Sequence, residues 1–137
     1  MSGELSGSFK IEKRHMRSYA PDGLKVLKGP RENFEKGSTW MVADPNGYAQ
    51  FTYRRDENVV KSNSVYIENI EINSAKRGRG FGSGLYMKVE EFARNIGADW
   101  IQIDSEVDVS GFWIRHGFRK LEGTPEGKRI PMIKKIN

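Results

Sequence analysis

The chain has 137 residues, of which 36% are hydrophobic and 11% aromatic, so its length suits a single folded domain over residues 1–137. It contains no cysteine, which excludes disulfides and cysteine nucleophiles, and its two histidines are too few to predict a metal site. The net charge of +5 favours anionic partners, although the charged residues are scattered. We find no apolar run of signal-peptide or membrane-span length, so we expect a cytoplasmic protein without a membrane partner.

Residues 1–38 contain several glycines and prolines and show no helical stripe, and the segment 8–13, "SFKIEK", has the character of a short strand. From Thr39 onward the pattern becomes clearer. Thr39–Asp44 and Tyr48–Arg55 are predicted strands, and Pro45–Gly47, "PNG", is predicted to be the turn between them. This region therefore predicts a β-hairpin.

The next predicted strand, Val65–Asn73, has an irregular apolar pattern. Two of its apolar residues stand at positions 65 and 67 and two at positions 70 and 72, so an unbroken strand would point the pairs to opposite faces. One extra residue near Glu68–Asn69, a β-bulge, would bring all four to one face. A central strand buried on both faces explains the same pattern equally well.

A glycine-rich stretch, Arg77–Gly84, separates this strand from a predicted helix. Apolar residues recur at helical spacing between Leu85 and Ile96, and Gly97 suits the left-handed position that ends a helix. The glycine-rich stretch is therefore predicted to be a strand-to-helix turn.

The C-terminal part of the chain predicts a strand, a second helix and two further strands. Ala98–Asp104 has the pattern of a strand. "SEVD" at Ser105–Asp108 has the spacing of a capping box, which predicts a second helix over Ser105–His116. The last two predicted strands are Phe118–Leu121 and Arg129–Ile136.

The stretch "RGRGFGSG" fits some glycine-rich motifs and not others. An RNA-binding arginine-glycine tail belongs to a repetitive, disordered segment, whereas this stretch joins a strand to a helix. The dinucleotide fingerprint fails because Ser83 or Leu85 stands where its last glycine is required, and the nucleotidase loop fails because no Gly-Lys follows. An anion cradle fits, since glycines let backbone N–H groups converge while the helix dipole and the arginines add positive charge. A tight turn without a ligand would need only one or two of the four glycines.

These residues resemble the GNAT superfamily of acyl-CoA-dependent N-acyltransferases. Arg77–Gly82 is similar to the Q/R-x-x-G-x-G/A loop of that family, and Phe112–Phe118, "FWIRHGF", resembles its Y-x-x-x-G-F helix ending. The order strand, loop, helix, strand, helix, strand also agrees. The resemblance covers about Thr39–Leu121.

The resemblance implies an α/β (α+β) fold, with a GNAT-like mixed, mostly antiparallel sheet whose central strands splay apart and are flanked by helices. Acetyl-CoA, the co-substrate, would enter the gap between the splayed strands. Its pyrophosphate would accept hydrogen bonds from the loop backbone, its pantetheine arm would pair with the bulged strand, and the second helix would lie along its other side. The cofactor contacts implied in this way are Ile70, Ile72, Arg77, Gly78, Arg79, Gly80, Phe81, Gly82, Ser83, Glu106 and Trp113.

The resemblance also implies that an amine attacks the thioester directly, which requires no nucleophilic side chain. A lysine-like amine has a pKa of about 10.4 and is mostly protonated at neutral pH, so a general base would help. Glu68, on the central strand near the expected splay, is the first candidate base, followed by Glu71 and Asp104. Each of the three could instead be a solvated carboxylate of a strand.

The leaving thiolate often receives its proton from a tyrosine in this family, but the matching position here is Trp113, which cannot serve. Tyr66 and Tyr86 are the candidate substitutes, although either could be a packing residue with a satisfied hydroxyl. His116 fits better as a helix-end residue favoured by the dipole. The thiolate of CoA can also leave unaided.

Three functions remain open from the sequence. The first is an N-acetyltransferase that acts on a primary amine of a small molecule, a protein lysine or a protein N-terminus. The second is an inactive acyl-CoA-binding regulatory protein, which Trp113 suggests. The third is a small basic nucleic-acid-binding domain, which the net charge and the arginines suggest and which the strand-to-helix context of the arginines disfavours. The oligomeric state, a homodimer included, is left open.

Overall fold

The computed structural model describes residues 18–33, 37–54, 63–121 and 129–137. These residues form one seven-stranded sheet with the spatial order β1-β2-β3-β4-β5-β7-β6. The strands are β1 (Lys25–Asn33), β2 (Gly37–Asp44), β3 (Gly47–Arg54), β4 (Ser64–Ile72), β5 (Trp100–Glu106), β6 (Arg119–Lys120) and β7 (Arg129–Lys135), and the helices are α1 (Phe81–Asn95) and α2 (Ser110–Arg115). Single 3-10 turns at Ser74–Lys76 and Val107–Val109 precede the two helices.

The sheet is mixed and mostly antiparallel, as predicted. Among the described strands, β4 and β5 form the one parallel pair. The predicted hairpin is present as β2 and β3, and the side chain of Asp44 stabilises its turn by accepting hydrogen bonds from the backbone N–H groups of Asn46 and Gly47, at 2.8 and 3.0 Å.

Glu68 is the extra residue of a β-bulge in β4. Gln50 of β3 pairs with Asn69, whereas its neighbour Phe51 pairs with Ile67, which leaves Glu68 without an opposite residue. The four apolar residues of β4 therefore share the face that packs on the core, as the bulge interpretation predicted.

The central strands β4 and β5 separate after four residue pairs. Their register runs from Ser64↔Trp100 to Ile67↔Ile103. Beyond this point β4 stays paired with β3 through Ile72 and β5 stays paired with β7 through Glu106. The sheet therefore opens into a V at the end of β4 that leads into the glycine-rich turn, and the predicted splay of the central strands is confirmed.

The hydrophobic core lies between the sheet and α1. Trp40, Phe51 and Phe92 pack as an aromatic triad, with ring centroids 5.1–6.3 Å apart. Helix α1 places its buried residues at the predicted helical spacing and is followed by Gly97, whose φ of +93° is left-handed. α2 packs its buried Trp113 against Tyr86 of α1, so both helices lie on the core side.

Two predictions about local structure were wrong or incomplete. The predicted helix Ser105–His116 is wrong over its first five residues, because Ser105 and Glu106 pair with β7 and belong to β5. The hydroxyl of Ser105 donates to the carbonyl of Glu106 at 2.7 Å and does not cap a helix. The sequence also gave no indication of β1, and the predicted strand at 8–13 lies outside the described residues.

Neither helix in the described ranges has the length and apolar run that a membrane span requires.

Candidate active site

The glycine-rich turn presents an uncapped helix N-terminus. Gly78 and Gly80 adopt φ values of +76° and +80°, a left-handed conformation that suits glycine, and α1 begins at the next residue, Phe81. No side chain caps the first turn of α1, and no acidic residue lies in it. Because the first N–H groups of a helix have no intrahelical acceptor, this end of α1 is a good place for an anion.

A cavity of about 310 Å³ lies in front of this helix end. Residues of the turn between Lys76 and Ser83, Arg79 excepted, line one side of it, and Ile72 at the end of β4 lines another. Phe112 and Arg115 of α2 complete the wall. The cavity thus joins the end of the splayed strand, the turn and the second helix.

Arg77 holds the turn against the end of β4. Its Nε donates to the carbonyl oxygen of Ile72 at 3.0 Å, and its guanidinium forms an ion pair with Glu71 at 3.1 Å. The guanidinium of Arg79 instead lies 5.2 Å from the ring centroid of Phe81. The cofactor contacts expected between Ile72 and Ser83, Arg79 excepted, therefore line one cavity. Ile70 does not line it and lies two residues before Ile72 on the same face of β4.

Trp113 and Glu106 are not among the residues that line this cavity. Trp113 is 6% exposed and packs edge-on against Tyr86 and Phe118, with ring centroids 5.4 and 5.2 Å away. Glu106 is the exposed last residue of β5. Phe112, and not Trp113, is the aromatic residue of α2 that lines the cavity.

Lys76, Phe112 and Arg115 are cavity residues that the sequence analysis missed. Phe112 and Arg115 stand three residues apart, which places them on one face of a helix. That spacing is visible in the sequence, but it identifies the correct face only once the helix is known to begin at Ser110.

A second group of polar residues lies on the face of the sheet that points away from the core and α1. The hydroxyl of Tyr66 donates to Oδ2 of Asp104 at 2.5 Å across the β4–β5 boundary. The two carboxylate oxygens of Glu68 accept hydrogen bonds from Thr52 Oγ1 at 2.6 Å and Gln50 Nε2 at 3.0 Å. The bulge and the strand ends therefore bring together three of the four predicted catalytic residues.

The phenol of Tyr66 is held in its protonated form. Burial raises its pKa to about 12, together with the hydrogen bond to Asp104 and the negative charges of Asp104 and Glu68, while Arg129 opposes the shift. Tyr66 therefore keeps its proton at neutral pH.

The remaining predicted residues have other partners. Glu71 accepts a hydrogen bond from the Tyr48 hydroxyl at 2.7 Å in addition to its ion pair with Arg77. Tyr86 is fully buried, and its hydroxyl donates to Glu90 at 2.9 Å. Burial raises the pKa of Tyr86 far above its usual range, with the charge of Glu90 and the hydrogen bond adding to the effect. Tyr86 therefore serves as a core residue.

The described ranges contain no group of three or more His, Asp or Glu side chains that could hold a metal ion.

Solved structures of acetyltransferases share this fold. An acetyltransferase of Bacillus subtilis in complex with CoA aligns with a TM-score of 0.59 and 16% identity, over 82% of this chain and 97% of that one. An acyl-CoA N-acyltransferase of Pseudomonas aeruginosa aligns with a TM-score of 0.58 and 19% identity, over 72% of this chain and 68% of that one. The PaiA N-acetyltransferase of Thermoplasma acidophilum in complex with coenzyme A aligns with a TM-score of 0.54 and 13% identity, over 71% and 59%. These alignments show that this chain shares its fold with the three proteins.

The model of the acetyltransferase (GNAT) family matches residues 10–118, and the chain belongs to that family. A search of curated protein sequences found no significant match.

Proposed function

We propose that this protein is an acetyl-CoA-dependent N-acetyltransferase that acts on a primary amine by direct attack with general-base assistance. The observation that carries the proposal is the cavity at the open end of the V, where an uncapped helix N-terminus meets an edge of β4 that no described strand covers. We propose in addition that residues 1–137 act as one domain, and that they act in the cytoplasm.

The cavity has the properties that a pyrophosphate requires. A Cβ atom added at Gly80 would meet nothing within 4 Å, so the backbone there is open to a ligand. Lys76 and Arg115 supply positive charge in the wall, and the N-terminal N–H groups of α1 supply donors. We propose that the backbone N–H groups of Arg79, Gly80, Gly82 and Ser83 hold the phosphates. Acetyl-CoA would supply the activated acyl thioester.

The uncovered edge of β4 would hold the pantetheine arm. After Ile67, its backbone groups toward β5 have no strand partner within the described residues. Ile70 and Ile72 are the residues that we expect to pair with the arm. The carbonyl of Ile72 accepts a hydrogen bond from Arg77. This contact orients the end of β4 where the arm would enter.

Glu68 is the base that we favour. Its carboxylate lies on the bulge at the centre of the V, and hydrogen bonds from Thr52 and Gln50 orient it while each oxygen keeps further acceptor capacity. Asp104 is the second candidate. Glu71 ranks third, because its carboxylate is already bound by Arg77 and by the hydroxyl of Tyr48. The acceptor would be a protonated amine that a carboxylate first attracts and then deprotonates.

Tyr66 is the proton donor that we propose for the leaving thiolate. It lies close to Asp104 and Glu68, and it remains a phenol at neutral pH because its pKa is raised to about 12. Its proton is hydrogen-bonded to Asp104, so transfer of that proton would also release the Asp104 carboxylate.

Binding and turnover of acetyl-CoA test the proposal in two steps. Ligand at about 100 times its Kd should stabilise the folded state by about 2.7 kcal/mol, which is several degrees in melting temperature for a domain of this size. ATP, NAD and a short RNA at matched phosphate concentration are the controls, and 3′,5′-ADP should stabilise much less than CoA. A free-thiol assay with a panel of amines then measures turnover. The proposal fails if acetyl-CoA gives no shift.

A catalytically inactive acyl-CoA-binding protein is the second candidate. It is favoured by Trp113, which stands at the usual tyrosine position, is buried, and has an indole N–H that is far too weak an acid to protonate a thiolate. In that case acetyl-CoA would stabilise the protein, and no amine in the panel would release free CoA.

A further inference from the structure

We propose that His116 is a positioning residue for the cofactor, which aims the hydroxyl of Ser83 at a phosphate group in the cavity. The inference rests on the proposed function, because it names the residue that prepares one wall of the proposed CoA site. It adds a role for a side chain that does not itself line the cavity.

The contact that carries this inference joins the two helices. Ser83, the third residue of α1, lines the cavity, and its Oγ lies 2.9 Å from Nε2 of His116, the residue that follows α2. The imidazole ring packs against both Tyr86 and Phe112, at centroid distances of 4.9 and 4.7 Å. Because packing fixes the ring, His116 can hold the Ser83 hydroxyl in one direction.

The position of one proton decides what Ser83 offers to an anion. If Nε2 accepts the hydroxyl proton, Ser83 turns only lone pairs toward the cavity, and these repel a phosphate oxygen. If Nε2 carries a proton and donates it to Oγ, the hydroxyl proton is free to point at the phosphate. Both the neutral Nε2–H tautomer and the imidazolium meet this condition, and the imidazolium adds a positive charge close to the phosphate.

The surroundings of His116 favour its neutral form in the absence of ligand. Burial lowers its pKa below the usual value, and the positive charges of Lys134 on β7 and Arg115 on α2 lower it further, against the opposing charge of Glu90 on α1. A phosphate bound at Ser83 adds negative charge on the cavity side and raises the pKa of His116 again. Binding of CoA is therefore linked to proton uptake, so its affinity increases as the pH falls.

Calorimetric titration with CoA of the wild type and four variants tests this role. His116→Ala and Ser83→Ala should each weaken CoA binding about tenfold, which equals about 1.4 kcal/mol. The double variant should bind no more weakly than Ser83→Ala alone, because the histidine acts through that hydroxyl. His116→Gln should recover most of the affinity, since its amide N–H can donate to Ser83.

The pH profile separates positioning from packing. Between about pH 8 and about pH 5.5, the wild type should gain affinity for CoA relative to His116→Gln, which has no titrating group at this position. The titration of the phosphates themselves is common to both proteins and cancels in the comparison. Ser83→Ala changes no aromatic packing, so its loss of affinity tests the hydroxyl contact even where His116→Ala folds poorly.

Each contrary result has a distinct meaning. If His116→Ala weakens CoA binding equally with and without the Ser83 hydroxyl, or if His116→Gln binds as weakly as His116→Ala, the positioning role is overturned and the proposed function stands. Parallel pH profiles overturn it as well. If the wild type binds no CoA, the proposed function fails first, and the inference fails with it.

Discussion

Replacing Gly82 with aspartate should abolish most cofactor affinity without harming the fold. Gly82 is the second residue of α1, and a Cβ atom there would meet Phe112 at 3.7 Å and Ile72 at 3.8 Å, which are ordinary contact distances. The backbone thus accepts a side chain. An acidic residue in the first turn of a helix also interacts favourably with the helix dipole, by about 0.3–1 kcal/mol.

The expected loss of affinity follows from the position of the new carboxylate. Gly82, Phe112 and Ile72 all line the cavity, so the added side chain points into the space proposed for the pyrophosphate. Two unit negative charges about 5 Å apart repel by about 3 kcal/mol at an effective dielectric constant of about 20. Even if solvent halves this value, the Kd for acetyl-CoA should increase at least about tenfold.

Gly84→Asp is the matched control for this substitution. Gly84 also lies near the start of α1, a Cβ atom there would meet nothing within 4 Å, and it is not among the cavity residues. Calorimetry at an ionic strength of about 0.15 M limits distant effects, because charges are screened over about 8 Å. Both variants should melt at or above the wild-type temperature, and only Gly82→Asp should lose affinity. An unchanged Kd for Gly82→Asp, or an equal loss in Gly84→Asp, would refute the cradle.

Three further predictions concern the opposite face of the sheet and the core. Glu68→Gln should lower kcat/KM by about 10²–10⁴-fold near neutral pH, and the loss should become smaller as the pH approaches the pKa of the amine. A pH–rate profile parallel to that of the wild type would transfer the role of base to Asp104. The pKa of Tyr66 is about 12 in the folded protein and about 10 in the unfolded chain, so it contributes stability that is complete below pH 10 and is lost as the pH increases toward 12. In urea unfolding, the free energy of unfolding of Tyr66→Phe should therefore decline less over that range than that of the wild type. An identical decline would contradict the assignment. Glu90→Gln should reduce the free energy of unfolding by about 2 kcal/mol, because the neutral amide can still accept from Tyr86 but loses the ion pairs with Lys134 and Arg94. A loss under about 0.5 kcal/mol would contradict this role.

The sequence predicts the elements whose signals are local. The β2–β3 hairpin and α1 follow from a turn sequence and from apolar spacing, and both were found. Strand β1 has no such signal, because Gly29 is left-handed at φ +103° and the register with β2 shifts twice along the strand. A Cβ atom at Gly29 would lie 2.5 Å from the carbonyl oxygen of Thr39, so the glycine serves a close approach between strands that sequence periodicity does not reveal.

The second helix shows how a long-range contact overrides a local signal. Ser105–Asp108 has the spacing of a capping box, but pairing with β7 extends β5 through Glu106. The helix then begins at Ser110, five residues later than predicted. The rotation of that helix decides which aromatic residue reaches the cavity, and so the motif indicated Trp113 where the structure has Phe112. The loop contacts were predictable because consecutive residues of one turn necessarily lie together.

The bulge leaves every other pair between β4 and β3 independent of Glu68, so this residue is free to serve the chemistry of the site. Deleting that one residue would make the pairing with β3 continuous and would keep every other residue of β4 on its present face. Ile70 and Ile72 would still lie opposite Ala49 and Gly47 on the core face, and Glu71 would still face away from the core. Loss of Glu68 should therefore leave the order of the sheet intact and remove the proposed base, whereas closing the bulge with all residues retained would turn Ile70 and Ile72 away from the core.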